Sequence, residues 1–156
     1  MYRTVPPRIK VYEALGSLGD KRIELISPTE AKIFSSSGNK FYTVTYDPQH
    51  RAIMMNDNAA YWKWYLGYSW IAYLMMTKVL PYTESYAEAL KGIAWKDINT
   101  QYKNDFDLTQ KYVDELLIQK WIDLNEFSVF VDSVLMTIGQ QPFAYLGKKT
   151  LPPKWY

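Results

Sequence analysis

The apolar residues of this chain change their spacing near residues 20 and 58, and those changes limit what it can fold into. From Lys21 to Asp57 they recur at every second position, as the two faces of a strand require. From Ser69 to Ile138 they recur every third or fourth, as one face of a helix requires. A block of strands followed by a block of helices is an α+β pattern, not an alternating βαβ one. In the first block Ile23, Leu25 and Ser27 alternate with Arg22, Glu24 and Ile26. After Pro28 and Thr29, Ala31, Ile33 and Ser35 alternate with Lys32 and Phe34. Ser36-Ser37-Gly38-Asn39 is a turn cluster containing a Gly-Asn hairpin pair. Lys40 to Tyr46 is aromatic and β-branched, Asp47 and Pro48 turn the chain, and Ala52 to Met55 returns. These segments predict a small antiparallel meander of three or four strands.

On either side the spacing is helical. Pro6 and Pro7 open a short helix bearing Ile9, Tyr12, Ala14 and Leu15, with Gly16 and Gly19 as its expected end. Ser69 to Lys78 predicts a buried helix, Gly67 opposes an earlier start, and Pro81 closes the segment. Thr83 is the expected cap of a helix reaching about Ile93. Trp95 to Asp105 is polar and reads as a loop with one helical turn. Asp107 is the expected cap of a long helix whose stripe is Leu108, Tyr112, Leu116 and Leu117, continued by Trp121 and Leu124. Asn125 is the expected cap of the next, carrying Phe127, Phe130, Val131, Val134, Leu135 and Ile138 and ending at Gly139. No strand is expected after Ala59. The expected architecture is one α+β domain over residues 1–156. It has a short N-terminal helix, the meander, and four or five helices packed on one face, with a helical part at 81–139 and an extended tail at 140–156.

Composition removes whole classes of chemistry. There is no Cys, which excludes disulfides, thiolate metal sites and a cysteine nucleophile, and a single His, His50, excludes a His-rich metal cluster. With 18 basic and 16 acidic residues, net charge alone argues for no nucleic-acid partner. Fourteen Tyr and six Trp are a heavy aromatic load, fit for cores, interfaces or base stacking. A chain of 156 residues buries roughly 68–70% of its unfolded surface and needs no staple. The start of the chain lacks the apolar run of a signal peptide, and Trp64 to Met76 falls short of the roughly 20 residues that span a bilayer. An intracellular location is expected, in the cytoplasm of a cell or of a virus host. No phosphate-binding loop, Gly-x-Gly-x-x-Gly, nucleophile elbow or zincin helix is present.

One stretch invites comparison with a known module. Ser35-Ser36-Ser37-Gly38-Asn39-Lys40-Phe41-Tyr42-Thr43-Val44 leads to Ile53-Met54-Met55-Asn56-Asp57 and, after twelve residues (56–67), to Tyr68-Ser69-Trp70-Ile71-Ala72-Tyr73-Leu74. This resembles the ββα arrangement of SWIM-type zinc modules, whose ligands follow Cys-x-Cys and Cys-x-His patterns. Here Ile53, Met55, Tyr68 and Trp70 stand at the four ligand positions, and none binds zinc as a thiolate or imidazole does. The resemblance implies a metal-free relative within residues 20–80, with packing in place of the metal, and a role in nucleic-acid or protein binding. It implies no catalytic residue. In composition the chain resembles proteins of hyperthermophilic archaea or their viruses.

Four sets of residues remain as candidates. Tyr61, Trp62, Trp64, Tyr65, Tyr68, Trp70 and Tyr73 are too many for one helix face, so a subset is expected at a surface: Trp62 and Tyr65, with Lys63 placed for phosphate. The tail supplies Lys148, Lys149, Lys154 and Trp155, a strap for a groove or for nucleic acid, or else a frayed end. Glu84 and Glu88 share a helix face and, joined by Asp57 or Asp97, form an alternative site for Mg or Mn in metal-dependent phosphodiester cleavage. The plainer reading is a solvated helix face. His50, in Asp47-Pro48-Gln49-His50-Arg51, reads as a loop histidine with no relay around it. The leading expectation is a non-catalytic protein without cofactor, binding nucleic acid or a protein partner through an aromatic and basic surface. The alternatives are the metal-dependent nuclease and a structural subunit that forms homo-oligomers.

Overall fold

The computed structural model describes residues 4–56 and 66–145. Helix α1 (Ile9–Gly19) precedes strands β1 (Ile23–Ser27), β2 (Glu30–Phe34), β3 (Phe41–Asp47) and β4 (Ala52–Met55). Helices α2 (Tyr68–Met76), α3 (Glu84–Ala89), α4 (Trp95–Gln101), α5 (Phe106–Gln119) and α6 (Leu124–Gln140) follow, and β5 (Ala144–Tyr145) ends the described chain. The fold is α+β, as separate blocks of strand and helix spacing require. Among the described residues no helix is long and apolar enough to cross a membrane.

The sheet has the order β1-β2-β3-β4-β5, with the first four strands antiparallel. Alternation sets its faces: Tyr42, Val44 and Tyr46 of β3 are buried, as are Ala31 and Ile33 of β2. Phe34 and Phe41 pair in register and meet ring to ring at 5.9 Å, with Lys32 over Phe41. β5 corrects the expectation of no late strand. It pairs parallel to β4, Ala52 opposite Ala144, and the Ala144 amide donates to the Arg51 carbonyl at 2.9 Å. Two residues flanked by Pro142 carry no period to detect, and burial of Phe143 against Tyr46 holds them in place.

The core lies between the sheet and the helices. α2 is buried nearly all round, with Trp70, Ile71, Ala72, Tyr73 and Leu74 fully covered. Each large side chain so buried contributes about 1.5–3 kcal/mol before entropy is charged against it. Ile53, Met55 and Trp70 belong to this core, and Tyr68 packs on its edge. Tyr12 and Tyr86 flank Phe127 with ring centroids 4.9 Å away, and Phe130 meets Tyr86 at 5.2 Å.

Several helix expectations need correction. Gly16 lies inside α1 and does not end it: the helix passes close to α3 and α4 there, where a Cβ on Gly16 would stand 2.7 Å from Trp95 Nε1. Thr83 occupies the N-cap of α3 without a side-chain cap bond, and that helix stops at Ala89. Residues 95–101 form a full helix, not a loop. Asp105, not Asp107, caps α5, accepting from the Leu108 amide at 3.2 Å. Asp123, not Asn125, caps α6, accepting from the Asn125 amide at 2.8 Å. The buried face of α5 is Thr109, Val113 and Leu117, while Leu108, Tyr112 and Trp121 are exposed, Trp121 at 96%. Thr109 tolerates burial because its hydroxyl donates to the Asp105 carbonyl at 3.3 Å. α6 runs to Gln140, one residue past Gly139, and carries the expected buried stripe of Phe127, Val131, Val134 and Ile138.

Candidate functional site

Separated pieces of the chain converge on a cleft of about 270 Å³. α1 contributes Lys10 and Glu13, and the turn before β1 contributes Arg22. The β2–β3 hairpin contributes Ser35, Ser36, Lys40 and Tyr42. The start of α2 adds Gly67 and Tyr68, and α4 adds Trp95, Lys96, Asn99 and Thr100, with Asn104 just beyond it. Among the described residues, four cations and one carboxylate therefore line it.

Local structure fixes each wall. Gly38, at φ +77°, lets the hairpin turn, and the Ser35 amide closes the loop on the Lys40 carbonyl at 2.9 Å. Ser36 Oγ accepts from the Lys96 amide at 3.3 Å, tying the hairpin tip to the first turn of α4. Arg22 is held from three sides. Nη1 donates to the Phe34 carbonyl at 2.7 Å, Nε to Asp20 at 3.2 Å, and the guanidinium lies 5.7 Å from the Tyr68 ring centroid. Glu13 is only 3% exposed. One of its oxygens meets Lys10 Nζ at 3.3 Å, and the other accepts from Asn99 Nδ2 at 3.1 Å. Lys10 also sits over the Phe106 ring.

The balance of charge follows from those contacts. Glu13 is neutralised by Lys10, and Asp20 offsets Arg22. Lys40 sits over the Tyr42 ring and Lys96 is exposed on α4. Neither has an ion-pair partner among the described residues. α2 enters the cleft by its N-terminus, with Gly67 extended and no side-chain cap, so its positive end adds to the field. Burial pushes the Tyr68 phenol well above its ordinary 10.0, against the opposing pull of Arg22, so it is a neutral hydroxyl at physiological pH. The cleft carries net positive charge, with hydroxyl and amide groups at its sides.

The residues singled out from sequence fare differently. Trp62, Lys63, Tyr65, Asp57, Lys148, Lys149, Lys154 and Trp155 lie outside the described residues. Of the aromatic run, Trp70 and Tyr73 are core, and Tyr68 forms a cleft wall. Glu84 and Glu88 are exposed on α3, and Glu88 pairs with Lys91 at 3.7 Å. Among the described residues no three His, Asp or Glu side chains stand close enough to hold a metal. His50 does have a carboxylate beside it, contrary to expectation: Nδ1 lies 2.6 Å from Asp47 Oδ2. That contact holds the Asp47 carboxyl below its usual range. The pair sits in the β3–β4 turn, at the other end of β3 from the cleft. Lys10, Glu13, Arg22, Lys40, Lys96 and Asn99 were not singled out from sequence, because no local motif joins residues so far apart along the chain.

Comparison with known proteins adds a family. Residues 3–144 match the family described as "Uncharacterised conserved protein UCP014422". The chain belongs to that family. Its description names no ligand, and nothing in it points to a SWIM-type module or to archaea. No curated protein and no solved structure matches the chain.

Proposed function

We propose that this chain is a non-catalytic binding protein that engages nucleic acid, holding phosphate in the cleft between α1, the β2–β3 hairpin and α4. The observation that carries this is that, among the described residues, Lys40 and Lys96 converge on one cleft without an ion-pair partner and the one lining carboxylate, Glu13, already has its own cation. Phosphate supplies the missing counter-charge, and release of condensed counterions favours its binding. The fixed Arg22 and the α2 N-terminus favour the same charge. Trp62, Lys63 and Tyr65 immediately precede Gly67 in sequence. They, with Lys148, Lys149, Lys154 and Trp155 of the tail, are the basic and aromatic residues outside the described ones that the same reading assigns to nucleic-acid contact. This reading carries an intracellular location with it.

The test is fluorescence anisotropy with a labelled, 5′-phosphorylated single-stranded oligonucleotide over a range of salt. Wild-type protein binds, and affinity falls as salt rises. Lys40→Ala with Lys96→Ala weakens binding and lowers the magnitude of the log–log salt slope by about 1.4–1.8, the loss of two phosphate contacts. Binding unchanged in the double variant would place the contact elsewhere and sink the proposal.

A further inference from the structure

Resting on that reading, we infer that the cleft selects ribose over deoxyribose, with Glu13 as the group that reads the sugar hydroxyl. A pocket for phosphate alone gains nothing from a lining carboxylate, because a phosphate oxygen accepts hydrogen bonds and repels another anion. Glu13 is nevertheless buried at the cleft wall, and its burial is sustained by Lys10 on one oxygen and Asn99 on the other. A carboxylate accepts about four hydrogen bonds, so each oxygen keeps one position for a further donor. A ligand with its phosphate at Lys40 and Lys96 that also presents a donor to Glu13 gains a charge-assisted hydrogen bond there.

The base is the weaker candidate for that donor. Stacking needs an open ring, and among the described residues the rings here are taken: Arg22 lies over Tyr68, Lys40 lies over Tyr42, and Trp95 is buried. The volume suits one sugar-phosphate unit, being at the small end for ligand pockets. What remains is a hydroxyl next to a phosphate, and in nucleic acid that is the 2′-OH of RNA.

The probes are three 5′-phosphorylated single strands of one sequence: RNA, DNA and 2′-O-methyl RNA. Anisotropy is expected to show RNA binding about tenfold more tightly than either of the others, the return on one hydrogen bond to a charged group. Glu13→Gln keeps the side chain's shape and removes its charge. It is expected to bring the RNA:DNA ratio down several-fold while DNA still binds. Equal wild-type affinity for RNA and DNA overturns the inference without any variant. So does a preference for RNA that survives Glu13→Gln or extends to the 2′-O-methyl strand. Failure of all three strands to bind removes the phosphate reading itself, a different result.

Discussion

Replacing glycine by alanine within a helix ordinarily strengthens it by up to about 1 kcal/mol. At Gly19 the structure reverses that sign. A Cβ built there would lie 2.2 Å from the carbonyl oxygen of Ala87 and 2.9 Å from its carbon. Carbon and carbonyl oxygen approach to about 3.3 Å at closest, so α1 and α3 must part by roughly 1 Å. The obstacle is backbone on both sides, and no rotamer change relieves it. Overpacking of this kind costs about 1–3 kcal/mol. Gly19 is the last residue of α1, where the propensity gain is smallest, so the net loss is about 1–2 kcal/mol. In a chain of this length that lowers the melting temperature by about 2–8 °C. Gly139→Ala is the matched control, because a Cβ there meets only Val5 Cγ2, at 3.4 Å. It is expected to leave the melting temperature unchanged or raise it slightly. Circular dichroism melts of the two variants beside wild type give the comparison. A Gly19→Ala protein as stable as wild type would refute the close packing of α1 on α3, and with it the rigidity of the wall that carries Lys10 and Glu13.

Trp121 sits at φ +63° with 96% of its surface exposed, a left-handed conformation that a bulky residue resists and that no packing compensates. Trp121→Asn is expected to hold or raise the urea midpoint; a clear drop contradicts this placement. Asp123→Ala removes the acceptor for the Asn125 and Glu126 amides at the start of α6 and is expected to cost about 1 kcal/mol by chemical denaturation, whereas Asn125→Ala costs little. Burial is the largest cause raising the phenols of Tyr12, Tyr46, Tyr68 and Tyr73 above their ordinary 10.0. The folded state therefore favours the protonated form. Stability from this source is complete below the unfolded value and is lost as pH rises past it toward the folded values. Denaturation midpoints followed across the alkaline range are expected to fall above about pH 10, and Tyr12→Phe to shallow that fall. An unchanged slope in that variant would count against burial of this ring beside Asp114.

The centre of the sheet was legible because β2 and β3 each bury one face, so alternation and fold carry the same information there. α6 was legible for the same reason in helical form. α5 was not, since it has apolar residues on two faces: Leu108 and Tyr112 imitate a core stripe, and the true stripe begins with a threonine. Its phase is set by what α5 packs against, which spacing within the segment does not encode. The glycines of α1 misled because glycine serves both at helix ends and at close crossings, and Gly16 is of the second kind. The cleft was the least legible feature. Its charges come from α1, a turn, a hairpin and α4, each ordinary in its own segment, and only the docking of Ser36 onto α4 brings Lys40 and Lys96 to the same opening.

The most direct measurement of the central claim is an amide chemical-shift map of the labelled protein titrated with a 5′-phosphorylated single-stranded oligonucleotide. The account predicts saturable shifts at Ser35, Ser36, Lys40, Tyr68, Lys96 and Asn99, diminished in Lys40→Ala with Lys96→Ala. Shifts gathered instead around Trp121 and the outer face of α5, or none at all, would contradict it.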